Sequence, residues 1–337
     1  MSAVGQPTTR RGGARRVAGW RVGLLASPAA PVFAALAGVF VIAWIVVTIR
    51  GGDFLTVPNI VNMLQRSVAL GIVSAGQTLV ILLGSLDLSV AYLISLSSLV
   101  ASTTMDGSDA NIVPAIALVL AVGAAVGLAN GLVITKLRVN AFIATLGMAL
   151  ILKGLIDNRW DGPAGAVPSS FESFGYTRFG VLPLSIFLLA AVVFVVWFIL
   201  RHTRFGYRIY AVGGDEDVSK LSGLRTHRTI IGAHVLCSVL AAVTGLFLAS
   251  RLGSGTPTVG PDGGYDLESI AAVVLGGTAL AGGRGAVLGT IGGVFILAVL
   301  DNTFNQLEVN SFLKDVVRGV IIIAAVAVYA RRREARA

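Results

Sequence analysis

The sequence has 337 residues, of which 55% are hydrophobic and only 13% charged, against roughly 25% charged in an ordinary soluble domain. That deficit excludes a water-soluble globular chain and assigns an all-α, polytopic membrane protein. The formal charge of +9 does not signal nucleic acid: Lys/Arg clusters at Arg10–Arg21, Arg201–Arg228 and Arg331–Arg336 flank apolar runs, as positive-inside anchors do. Cys237 is the single cysteine, so there is no intramolecular disulfide and no Cys-based metal site; His202, His227 and His234 lack metal-ligand spacing.

Residues 1–30 are rich in Arg, Gly and Ala and read as a cytoplasmic tail. The run Pro31–Ile49 is long enough to cross ~30 Å of hydrocarbon, and no small-residue cleavage site follows it, so it is expected to be a retained first span. Further apolar runs lie near 66–83, 88–103, 112–135, 141–157 and 184–200. With the N-terminus inside, these crossings bring the chain back inside at Arg201. Lys136 and Arg138 then also fall inside, and the loops Asp106–Asn111 and Asn158–Pro183 fall outside. Runs near 230–250, 267–281, 286–303 and 312–330 return the tail 331–337 to the cytoplasm. The expectation is one transmembrane domain over 31–330 with about ten spans and both termini cytoplasmic.

The polar segment 201–229 between the two apolar halves carries Arg201, Arg204, Arg208, Lys220, Arg225 and Arg228. Gly213-Gly214 reads as a break and Asp215 as an N-cap. Glu216 and Asp217 put negative charge on the first turn, where a helix dipole favours it. Val218, Leu221 and Leu224 form one apolar stripe, with Gly223 as the stop. A helix this short is not stable alone and needs a surface to dock on; the competing reading is a solvated basic loop that only sets topology.

Gly123, Gly127 and Gly131 repeat every four residues, as do Gly285, Gly289 and Gly293, a spacing that lets helix backbones approach closely in lipid. "GLANGLVITKLRVN" (127–140) aligns without gaps to "GTIGGVFILAVLDN" (289–302), matching Asn140 with Asn302. By the parity above the two stretches run in opposite directions. An inverted repeat, as in transporters whose halves rock about a central site, competes here with chance.

Charges in spans are costly, about 2.5–3.5 kcal/mol each on insertion scales. Asp87 in "GSLDLSVA" lies at a break, where it or Ser89 can cap the following helix or meet a solute. Glu268 opens a span and can face a water-filled path. The pairs Gly276-Gly277 and Gly282-Gly283 imply unwinding or tight packing. Asp315 and Arg318 are spaced for a local ion pair. Gln77, Thr78 and Asn130 are neutral polar residues within spans, whose ordinary role is interhelical hydrogen bonding; lining a central path they would suit a neutral hydroxyl-rich solute better than an ion. No GxxxxGK[ST] occurs, so the chain has no P-loop of its own, and no nucleophile–base pair supports an enzyme.

Four stretches resemble the permease subunits of bacterial ABC importers for ribose, xylose, arabinose and galactose. They are "GSLDLSVA", "VNAFIATLGMALILKGL" (139–155), "YAVGGDEDVSKLSGL" and "DLESIAAVVLGGTALAGGRGAVLGT", in the family's order over about 50–300. Asp215 stands where the family usually has Asn, Val218-Ser219 where it has Ala-Ala, and Ala91 where it has Gly. The resemblance implies a homodimer of ten-helix permeases in the bacterial inner membrane, forming one path for a monosaccharide or related polyol. Two copies of a separate cytoplasmic ATPase would use the ATP, and a periplasmic or lipid-anchored binding protein would deliver the sugar. It makes Gly213, Gly214, Asp215, Val218, Leu221, Ser222, Gly223 and Leu224 the ATPase-coupling element. The candidate path residues are Asp87, Ser89, Asn130, Asn140, Glu268 and Asn302. No cofactor, metal or catalytic residue is expected on this chain, and membrane lipid, not nucleic acid, is its surroundings. Two alternatives stand beside this reading: a branched-chain amino-acid permease of the same importer class, and an ion-coupled secondary transporter suggested by Asp87, Glu268 and Asp301.

Overall fold

A chain in hydrocarbon must satisfy its backbone internally, and it does so here with helices. The computed structural model describes residues 30–310 together with 312–314, 316, 317, 319 and 320. Its first half holds α1 (Ala30–Ile49), α2 (Val57–Ile81), α3 (Val90–Met105), α4 (Ile112–Lys136) and α5 (Ala141–Asp157). A short α6 (Ser169–Tyr176) and a minimal hairpin pairing Arg178–Phe179 with Leu182–Pro183 follow. The second half holds α7 (Leu184–His202), α8 (Arg204–Gly214), α9 (Glu216–Leu221), α10 (Thr226–Leu252), α11 (Val259–Asp262), α12 (Tyr265–Leu275) and α13 (Val287–Gln306). The two tails, most of the run 312–330 and the pair Asp315 and Arg318 lie outside the described residues.

Burial runs opposite to hydropathy. Among the described residues six helices are long and apolar enough to cross a membrane. The most apolar of them, α1, has 17% of its apolar window buried, and the least apolar, α2, has 89%. Lipid explains the inversion: apolar side chains need no protein cover there, whereas polar ones do. The core accordingly centres on α2, α3 and α10, with α4 against α10, α7 against α2, and the α12–α13 pair closing the other side beneath α1.

α2 starts at Val57, well before the apolar run at 66. Pro58 sits in its first turn, where a missing amide hydrogen costs nothing. Polar residues there interrupt the hydropathy but not the helix, because they find partners: Asn59 and Asn302 exchange amide hydrogen bonds of 3.1 and 2.7 Å. α12 ends at Leu275, so the apolar run to 281 is not one helix. Its 11 residues span ~16 Å at 1.5 Å per residue, about half of the hydrocarbon thickness.

Both glycine ladders are close-approach surfaces, with one correction. A Cβ on Gly127 would lie 2.6 Å from the His234 carbonyl oxygen and the Val235 Cα of α10; Gly123 and Gly131 meet the same helix at Ala242 and Ile231. On α13 the ladder is Gly289 and Gly293, set against Gly276 and Ala272 at the end of α12. Gly285 precedes α13 in a turn and packs on Thr278, so it is not part of the helical stripe. The matched asparagines also differ: Asn140 caps α5 by accepting from the Phe142 amide at 2.9 Å, whereas Asn302 lies within α13.

At one end of the bundle the loops are tied together by backbone. Ala164 and Gly255 exchange bonds of 2.9 and 3.0 Å, and Val167 N–H donates to the Gly253 carbonyl at 2.9 Å. The opposite end carries α8 and α9. Gly127→Ala is expected to force α4 off α10 and cost ~1–3 kcal/mol, as overpacking does. Gly154→Ala on α5, where a Cβ meets nothing within 4 Å, is the comparison. The check is the thermal midpoint of detergent-solubilised protein, with only the first variant shifted down.

Candidate functional site: a buried carboxylate cluster, a cavity and an exposed two-turn helix

Between α2 and α3 the chain makes an irregular turn that delivers Asp87 to the interior with no solvent contact. Its Oδ1 accepts from the Ser89 amide at 3.0 Å and the Ser89 hydroxyl at 2.5 Å. Asn130 Nδ2, from α4, stands 3.5 Å from each carboxylate oxygen and 3.0 Å from the Ser89 hydroxyl. From α10 the Ser238 hydroxyl reaches Oδ2 at 3.5 Å and His234 Nδ1 lies 3.6 Å away, while His234 Nε2 meets the Ser85 hydroxyl at 2.9 Å. Gln77 of α2 donates to the Asp87 carbonyl at 3.3 Å, and the buried Cys237 thiol lies against Gln77 Oε1 at 3.5 Å.

His234, Cys237 and Ser238 are spaced i, i+3, i+4, so one face of α10 presents all three. A buried carboxylate must be paired or richly hydrogen-bonded, and here Ser89, Asn130 of α4 and Ser238 of α10 turn donors toward it with the His234 ring alongside. Of the expected path residues, Asp87, Ser89 and Asn130 meet here. His234, Ser85 and Ser238 were missed by sequence reasoning. The available signal was His234 itself, an ionisable residue in an apolar run, which has to have a partner.

Glu268 and Asn302 lie elsewhere. They line a cavity of about 480 Å³ between α2, α10, α12 and α13, together with Arg66, Arg251, Tyr265 and Asp301. Tyr176 closes one side: its hydroxyl donates to the Arg251 carbonyl at 2.6 Å and the Arg251 guanidinium sits 5.5 Å from its ring centre. The cavity belongs to the loop-tied end of the bundle. α2 joins it to the carboxylate cluster, with Ser67 in the cavity and Gln77 in the cluster, ten residues or ~15 Å apart. Asn140, at the start of α5, belongs to neither group.

At the opposite end, Gly213 and Gly214 are the last residues of α8, not the break expected there; the chain breaks at Asp215, whose backbone is extended at φ −161°. Asp215 caps α9 by accepting from the Val218 amide at 2.9 Å. Gly223, at φ +78°, ends the segment in a left-handed conformation that suits glycine, and the Ser222 hydroxyl donates to the Val218 carbonyl at 2.9 Å. Lys220 lies 3.1 Å from Glu216 and 3.2 Å from Asp217, and the hydrogen bond to Glu216 is the chief cause holding its amine above the ordinary value. Leu224 is half-buried and Ser219 is buried, but Val218 is 57% and Leu221 90% exposed. The helix therefore turns its small polar side chain inward and its large apolar ones out.

Removing one side of a buried polar contact leaves the other without its partner and typically costs ~1–3 kcal/mol. His234→Leu and Asp87→Asn are each expected to lower thermal stability, with the double variant recovering part of the sum. Additive effects in that cycle would mean the two side chains do not interact.

A family profile described as "Branched-chain amino acid transport system / permease component" matches residues 59–326, which include the cluster, the cavity and α8–α9. The ribose import permease protein RbsC of Escherichia coli (strain K12) is 40% identical over 288 residues, 84% of this chain and 89% of its own. RbsC of Bacillus subtilis (strain 168) is 40% identical over 295 residues, 86% and 89% of the two chains. The galactose/methyl galactoside import permease protein MglC of Escherichia coli (strain K12) is 33% identical over 323 residues, 88% and 95%. No solved structure matches the chain. With a multi-helix membrane fold and a family match over residues 59–326, this chain belongs to the family of branched-chain amino acid transport system permease components.

Proposed function

We propose that this chain is the membrane permease of an ATP-driven importer for a monosaccharide, working as a homodimer in the bacterial inner membrane with both termini in the cytoplasm. Two cytoplasmic ATPase subunits dock on it from inside, and a periplasmic or lipid-anchored binding protein delivers sugar from outside. The observation that carries this reading is α9: a capped helix too short to stand alone offers Val218 and Leu221 to water at the arginine-rich end of the bundle. A chain with no P-loop has use for such a surface if a partner supplies the nucleotide chemistry. Gly213, Gly214, Asp215, Val218, Leu221, Ser222, Gly223 and Leu224 form the coupling element in this reading. The ATP is spent by the partner, and this chain is a transport subunit, not an enzyme.

Sugar as the solute class is supported by the relatives, named for ribose and galactose import, and by the chemistry of the cavity. Planar polar groups of Arg66, Arg251, Glu268 and Asn302 suit vicinal hydroxyls, and tyrosine rings suit the C–H face of a sugar. In this path Glu268 and Asn302 stand at the outer mouth, and Asp87, Ser89 and Asn130 at the inner closure, with Asn140 beside the inner end. The family description favours one second reading, a branched-chain amino acid as cargo. An ion-coupled carrier has less support, since Asp87 is engaged by Ser89, Asn130 and His234 and a carrier has no use for α9.

Proteoliposomes holding the permease, its ATPase and its binding protein are expected to accumulate labelled ribose or galactose only with ATP. Sugar flux through the permease alone would overturn the reading, and leucine accumulation in place of sugar would move the cargo to amino acids. Leu221→Asp, which puts a charge where a partner's apolar groove should sit, is expected to lower ATP-driven uptake more than tenfold with insertion intact. Unchanged uptake would remove α9 from the docking surface.

A further inference from the structure

α8 does more than carry α9. It folds back tightly at Gly206, where a Cβ would lie 2.5 Å from the Leu200 Cα of α7, and its far end runs into the bundle. There a Cβ on Gly213 would stand 1.8 Å from the carbonyl oxygen of Leu82, the residue just after α2, and 2.9 Å from the amide nitrogen of Gly283. The Gly283 amide donates to that same Leu82 carbonyl at 2.8 Å. A Cβ on Gly282 would lie 2.6 Å from the Gly213 oxygen and 2.8 Å from the Gly84 nitrogen. One turn earlier on α8, the Tyr210 hydroxyl donates to the Gly285 carbonyl at 2.9 Å. Three segments distant in sequence thus meet backbone against backbone: the end of α8, the α2–α3 turn and the α12–α13 turn.

The two turns lead to the two polar features. Five residues beyond Leu82 is Asp87, held by His234, Ser89 and Asn130. The α12–α13 turn joins the helices that bring Glu268, Asp301 and Asn302 to the cavity. No side chain cushions the contact at Gly213. A shift of α8 toward the bundle has to move Leu82 or Gly283 with it, because packed interiors respond to fractions of an ångström by displacement and not by compression.

We propose that the Gly213–Leu82–Gly283 junction is the mechanical relay of this permease. Movement of α9 imposed by the ATPase passes as backbone displacement to the inner carboxylate cluster and to the α12–α13 pair. Gly213 and Tyr210 are positioning residues in this relay, acting on the path through Leu82 and Gly285. The proposal rests on the importer reading, because it needs a partner that drives α9.

The relay is tested with the assembled complex in proteoliposomes, measuring labelled ribose and galactose uptake and ATP hydrolysis in the same samples. Gly213→Ala is compared with Gly154→Ala on α5, outside the coupling element, where an added Cβ meets nothing within 4 Å. The expected result is that Gly213→Ala keeps binding-protein-stimulated ATP hydrolysis within about threefold of wild type while sugar moved per ATP falls, the loss exceeding that at Gly154 by at least tenfold. Tyr210→Phe removes a single hydroxyl and no packing volume; it is expected to lower sugar per ATP two- to fivefold at unchanged hydrolysis, and it decides the matter if Gly213→Ala does not assemble. Wild-type sugar per ATP in Tyr210→Phe, or equal effects at Gly213 and Gly154, would overturn the relay. Absence of ATP-driven uptake by the wild-type complex would instead overturn the importer reading, so the two failures are distinct.

Discussion

In lipid, helices gain little by hiding apolar side chains from one another, so association depends on how closely their backbones can pack. α10 is where this constraint is most fully met. Gly123, Gly127 and Gly131 bring α4 onto it, Gly76 brings α2 to within 3.1 Å of the Cys237 Cα when a Cβ is added, and Gly245 of α10 itself admits the Ser97 side chain and Ile94 carbonyl of α3. With three neighbours this near, short side chains can span the gaps. That is why Ser89, Asn130 and Ser238 all reach Asp87, and why a carboxylate can sit buried at the meeting point. A bulkier interface on any side would leave the charge without its partners.

Much of this architecture could be read from the sequence and part could not, for physical reasons that differ from residue to residue. The bounds of α4 and α5 follow hydropathy closely because both helices face lipid over much of their surface. α2 hides its first two turns from hydropathy because Pro58, Asn59 and Asn62 are not apolar, yet Pro58 suits a helix start and Asn59 is held by Asn302. Asp215 and Gly223 were readable as cap and stop because both act locally. Gly213 and Gly214 were not readable as the end of α8, since glycine is read as a breaker unless a close contact requires it, and the contact here comes from Leu82 and Gly283. His234 and Asp87 illustrate the same limit. Each signals a need for a partner, but nothing in one chain says that the partner is more than a hundred residues away.

The two interruptions of regular structure, after α2 and after α12, settle each other's backbone needs. The Leu82 carbonyl, free at the helix end, takes the Gly283 amide, while within the second turn the Ala279 amide donates to the Arg284 carbonyl at 2.8 Å. Irregular backbone at membrane depth is tolerated only where protein covers it, and these turns cover one another. The half-length of α12 follows from this arrangement: it stops where its turn can dock. The cavity occupies the half of the bundle that α12 does span, so one short helix determines both where polar volume is available and where the fold is solid.

Cys237 brings an experimental convenience. It is the only thiol in the chain and has no solvent contact, lying under Gln77 in the interior of α10. Maleimide or methanethiosulfonate probes will therefore pass over the native protein. A cysteine introduced at a 90% exposed position such as Leu221 becomes a single addressable label without any background substitution, so spectroscopic distances can be collected on an otherwise unaltered sequence.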